Sequence, residues 1–104
     1  MPYLPEVYKG FKQHFPKIHE TYESLAINCN EGGPLDERTR EMVKLGIAIG
    51  LSSEGAVKSH ARRAVAAGMA AEGVRHAALL ALTTAGFPAS IAAMKWVDEV
   101  LEKQ

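Results

Sequence analysis

The chain has little with which to cross-link itself. Its 104 residues include a single cysteine, Cys29. One thiol excludes an internal disulfide, a CxxC redox pair and a cysteine-based zinc site. If Cys29 is buried, as free cysteines usually are, it acts as a small apolar side chain. Charge of either sign is not in excess, because 12 lysines and arginines balance 12 aspartates and glutamates. There is no basic tail or stripe, so no nucleic acid partner is expected. An apolar run of about 18 residues is missing, as is a charged-then-apolar leader. No membrane association follows, and a cytoplasmic location is expected. Alternation of β-branched with polar residues over a strand length is also missing, as are internal repeats and low-complexity segments.

Alanine, by contrast, is abundant from Ala48 onward, and apolar residues recur at helical spacing. The expected fold class is all-α, with about six helices in a single domain over 1–104. Residues 1–33 read as an N-terminal helical arm and 34–104 as the core helices. The length suffices for a modest core.

The first helix, 2–14, places Leu4, Val7, Tyr8, Phe11 and Phe15 on one face. Pro16 opens the second, 16–29, with Ile18, Tyr22, Leu25 and Ile27. Within it His19 and Glu23 are i,i+4 neighbours, a surface pair to which no metal is assigned. Asn30-Glu31-Gly32-Gly33-Pro34 is a loop before the core, not a domain boundary. Asp36 is an N-cap for a helix over 36–51. Helices over 53–68, 70–86 and 88–102 follow, with Gly68 and Gly86 as stops and Pro88 as a start.

The hairpin formed by the third and fourth helices carries the chemistry. From Met42 to Leu51 only Lys44 interrupts an apolar run, which predicts a helix buried on most sides. Ser52 and Ser53 are N-cap candidates for the next helix, with Glu54 in its first turn. Val57, Ala61, Ala64 and Val65 form its inner face, and Lys58, Arg62 and Arg63 point mostly away. His60 lies on the inner face, and Glu41 shares a face with Leu45 and Ala48. Glu41 is about ten residues before the turn and His60 about eight after it, so at about 1.5 Å per residue their levels differ by about 3 Å. A carboxylate and an imidazole can meet inside this hairpin. Two readings stand side by side. The pair is a proton-transfer site, or His60 satisfies a backbone carbonyl while Glu41 pairs with Arg38 one turn earlier.

Several segments together resemble the carboxymuconolactone decarboxylase family, which also contains the alkylhydroperoxidase D-like proteins. They are Leu35-Asp36-Glu37-Arg38-Thr39-Arg40-Glu41-Met42-Val43, His60-Ala61-Arg62-Arg63-Ala64 with Gly68, Glu72, and Ala85-Gly86-Phe87-Pro88-Ala89. The resemblance covers about residues 34 to 100. It implies an all-helical fold and a dimer, trimer or hexamer. The peroxidase-like branch carries E…CxxCxxxH, whose Glu and His match Glu41 and His60 and whose cysteines match Ser53 and Ala56. Thiol peroxidase chemistry of that kind is therefore excluded. The decarboxylase branch is similar in its Ala-Gly-aromatic-Pro segment. It implies a lyase acting on a small carboxylated lactone from aromatic-compound breakdown. His60 and Glu41 are then the catalytic residues, and Arg38, Arg40 and Ser53 the substrate-binding ones. No metal and no cofactor are implied.

The alternatives are a binding module that keeps the fold without catalysis, and a member of the redox branch that works with another protein's thiol. The partners expected are a small-molecule ligand and further copies of this chain. A homo-oligomer is expected because the third, fifth and sixth helices show more than one apolar face.

Overall fold

The computed structural model describes residues 6–103. Among them it is all-helical, with no strand: α1 (Glu6–His14), α2 (Pro16–Asn30), α3 (Glu37–Gly50), α4 (Glu54–Ala66), α5 (Ala71–Leu80) and α6 (Phe87–Leu101). The expected helix over 2–14 begins before this range, and its Leu4 lies outside the described residues. No described helix is long and apolar enough to cross a membrane. The chain forms two compact units that divide after Pro34.

The first unit is the α1–α2 pair. The Tyr8 hydroxyl lies 2.9 Å from His19 Nε2 and donates to Glu23 Oε1 at 3.2 Å, tying the two helices together. The rings of Phe11 and Phe15 pack 5.9 Å apart beside them. Neither helix buries any residue, and Phe15, Ile18, Tyr22, Leu25 and Ile27 are more than half exposed. Cys29 is exposed too, so it does not serve as a core residue.

The second unit begins at Leu35 and holds the core. Asp36 caps α3 by accepting the Thr39 backbone N–H at 2.8 Å. That bond, with the Thr39 hydroxyl next in weight, holds the Asp36 carboxyl below its usual range. At the other end of α3, Ser52 adopts a left-handed backbone (φ 52°). Its N–H reaches Ile49 O at 3.0 Å, and the Ser53 N–H reaches Ala48 O at 3.1 Å. These paired bonds satisfy carbonyls that the helix would otherwise leave open. Ser53 occupies the N-cap of α4 with extended backbone, but its hydroxyl makes no capping bond. Helix α4 ends as α3 does. Gly68 (φ 101°) and Met69 send their N–H groups back to Val65 O and Ala64 O, each at 3.0 Å.

Helix α5 stops sooner than its apolar spacing predicts. After Leu80 the chain tightens into a 3₁₀ turn over Ala81–Thr83. Ala85 and Gly86 then both bond to Ala81 O, at 2.8 and 3.0 Å. Gly86 is left-handed (φ 110°), which turns the chain into α6 with Pro88 in its first turn. Apolar periodicity persists through such a tightened end, so it does not mark where the α-helix gives out.

The core gathers Leu45 and Ile49 from α3, Val57 from α4, Val74 from α5 and Val97 from α6, spaced by Ala61, Ala64, Ala78 and Ala93. The alanines let the helices approach closely. Ser90 is wholly buried among them and donates to Ala78 O at 2.7 Å, joining α6 to α5. Trp96 packs, partly buried, against this cluster. Contrary to expectation, α3 is not enclosed on most sides: Val43 and Ile47 are 47% and 58% exposed. Lys58 does not point away either. Its ammonium bridges Glu54 at 2.9 Å and Glu99 of α6 at 3.3 Å, and the bond to Glu54 chiefly raises its pKa.

Candidate functional site

Glu41 sits one turn into α3 on the stripe that buries Leu45 and Ala48. His60 sits in the middle of α4, on the stripe that buries Val57, Ala61 and Ala64. The reversal at Ser52 folds these stripes onto each other, and α3 and α4 pack along their length. Glu41 is 7% exposed, and its Oε1 lies 2.7 Å from His60 Nδ1. The distance is typical of a charge-assisted bond. A carboxylate only accepts, so Nδ1 carries the hydrogen and donates it to Glu41. That leaves His60 Nε2 with no protein partner among the described residues. The His60 side chain is 19% exposed, so a path to solvent remains.

The expected alternative for this pair does not occur. Arg38 turns from Glu41 toward the C-terminal end of α4, where its Nε donates to Ala67 O at 3.4 Å. Its guanidinium lies over Gly68, where an added Cβ would stand 3.1 Å from it. Arg40 donates to Leu35 O at 2.6 Å. Both arginines thus spend N–H groups on main-chain carbonyls beside helix ends, Ala67 O and Leu35 O, and not on the Glu41–His60 pair. Ser53 is exposed, seven residues before His60 on α4. Among the described residues no group of three or more His, Cys, Asp or Glu side chains is placed to hold a metal.

A second feature lies on another side of α3. A groove of about 410 Å³ runs between α3 and the α5–3₁₀ segment, and neither Glu41 nor His60 lines it. Its apolar walls include Val43, Gly46, Ile49 and Leu80, and His76 is its imidazole. No local sequence motif marks His76. His76 falls in line with Leu80 on α5, but the facing wall, Thr39 to Gly50 of α3, lies 26 to 37 residues earlier in the chain.

An all-helical unit with a carboxylate–imidazole pair bridging a helical hairpin is the class of protein these features define. Residues 16–99 match the Carboxymuconolactone decarboxylase family, and the chain belongs to that family. A protein of Haemophilus influenzae, described as uncharacterized, is 33% identical over 52 residues. That match covers 50% of this chain and 46% of the relative, so the chain aligns with about half of the relative's length. No solved structure matches.

Proposed function

We propose that this chain is a lyase of the carboxymuconolactone decarboxylase type, acting on a small carboxylated lactone, with His60 as its proton donor and Glu41 as the residue that orients it. The observation that carries this reading is the 2.7 Å bond between His60 Nδ1 and Glu41 Oε1, with Nε2 left free. In such a reaction the bond between the substrate carbon and its carboxylate breaks. Carbon dioxide leaves, and the electron pair stays on the substrate as a carbanion-like centre. Protonated His60 delivers a proton from Nε2 to that centre and recovers one from water. Glu41 holds the ring and offsets the imidazolium charge through the cycle. Arg38 and Arg40 are candidate holders of the substrate carboxylate through N–H groups not spent on Ala67 and Leu35. The Ser53 hydroxyl, which caps nothing, is a further candidate contact.

A second reading has an observation in its favour. The described groove does not reach Glu41 or His60, as a binding module with a structural histidine would allow. Incubation with carboxylated butenolides, followed by carbon dioxide release, separates the two. The lyase reading expects turnover that His60→Gln abolishes with helicity unchanged. Absence of turnover in the unaltered chain, or turnover that survives His60→Gln, overturns it.

A further inference from the structure

The groove between α3 and α5 has a shape and a distribution of polarity of its own. On the α3 side it runs from Thr39 to Gly50, and on the facing side from Gly73 to Ala85. The α3 wall covers eleven residue steps, which at about 1.5 Å per residue makes it about 16 Å long. Arg38 binds Ala67 just before α5 begins, so the Thr39 end of one wall lies beside the Gly73–His76 end of the other. Polar side chains occur only toward the ends. At the far end the Thr84 hydroxyl is already spent on Leu80 O at 2.9 Å. Toward the near end, His76 has no protein partner among the described residues. No acidic side chain lines the groove.

Gly46 points to the same use of this space. Glycine inside a helix costs about 1 kcal/mol relative to alanine, yet a Cβ on Gly46 would meet nothing within 4 Å. Gly73 is different, because there Met69 occupies the space that a Cβ would take. A side chain at Gly73 would have to displace Met69, whereas one at Gly46 would displace nothing, so there the missing side chain keeps the groove open. The volume of about 410 Å³ lies within the range of small-molecule sites.

From the length, the apolar body and the single unpaired donor toward one end, we infer that this groove binds one unbranched aliphatic carboxylate of about ten to twelve carbons, its chain along Gly46 and its head at His76. The site is separate from the Glu41–His60 pair, so it stands or falls independently of the lyase reading.

Calorimetric titration of the intact chain with sodium decanoate is the test. One decanoate should bind per chain, and hexanoate, four methylenes shorter, should bind at least about tenfold more weakly. Gly46→Leu should weaken decanoate at least about tenfold while far-UV helicity is retained, because leucine favours the helix and fills the groove. Gly50→Leu, where a Cβ also meets nothing within 4 Å, provides a second block should the first variant misfold. His76→Ala should weaken decanoate about tenfold, and His60→Gln should leave it unchanged. The inference is overturned by no binding at millimolar decanoate, by equal affinity for hexanoate, or by undiminished affinity in the leucine or alanine variants. It is also overturned if decanoate fails to bind and Gly46→Leu lowers the mass by light scattering, which would make the groove a contact between copies.

Discussion

Ser52 and Gly68 occupy equivalent positions. Each is the left-handed residue that ends a helix, with φ of 52° and 101°, and each is followed by an N–H that returns to the carbonyl five residues back. Glycine reaches this conformation without hindrance, whereas a side chain crowds the following carbonyl. Ser52→Gly should therefore stabilise the chain by about 0.5–1 kcal/mol, offset in part by the greater freedom of the unfolded glycine. An upward shift of the urea midpoint with an unchanged slope would show it.

The buried bond between Ser90 and Ala78 gives a prediction of opposite sign. Ser90→Ala removes the donor at a wholly buried position and should cost about 1 kcal/mol. Ser90→Val adds bulk where α6 meets α5 and should cost more. Chemical denaturation of the two variants should rank them in that order.

Glu41→Leu tests the pair without reference to any substrate. It leaves His60 Nδ1 without its acceptor at 2.7 Å and should destabilise by about 1–3 kcal/mol. Glu41→Gln, which still offers a carbonyl oxygen, should cost less. Equal losses in the two would mean that the bond contributes nothing beyond packing.

Acid sensitivity follows from Asp36. Its carboxyl is held below its ordinary value by the Thr39 N–H, so the folded state favours the ionised form. A depressed folded pKa adds stability above the unfolded pKa and loses it as pH falls through the folded one. The stability gap between the unaltered chain and Asp36→Ala should be widest above about pH 5 and narrow toward pH 2. Urea midpoints across that range would measure it, and a gap that widens on acidification would contradict it.

The exposed apolar side chains of the second unit outside the groove, among them Ile47, Leu79, Phe87 and Ile91, exceed what an isolated chain usually leaves to water. Light scattering at micromolar concentration should give a multiple of 11.2 kDa. The monomer mass alone would contradict a homo-oligomer.

The helices were legible in the sequence because apolar spacing, Asp36, Gly68 and Pro88 are local signals. The closeness of Glu41 and His60 was legible as well, since a short turn converts sequence distance directly into axial height. What escaped depends on neighbours far along the chain. Nothing near Ser90 marks it as a buried donor, because its acceptor belongs to another helix. Arg38 offers the same spacing to Glu41 as a helical pair would, and only the returning end of α4 decides that it binds Ala67 instead. Lys58 reads as a solvent-facing charge until α6 brings Glu99 beside it. The open groove is invisible for a related reason, since Gly46 looks like a weak point in a helix until the opposite wall is known.

The position of Trp96 has a spectroscopic consequence. It is the chain's one indole, and it rests against the core of the second unit, whereas Tyr3, Tyr8 and Tyr22 all precede Pro34. Tryptophan emission excited at the red edge thus reports on the second unit alone, and the tyrosine component of the second-derivative absorbance spectrum on the first. The chain carries an intrinsic pair of optical labels, and the two melting curves would coincide only if both units unfold together.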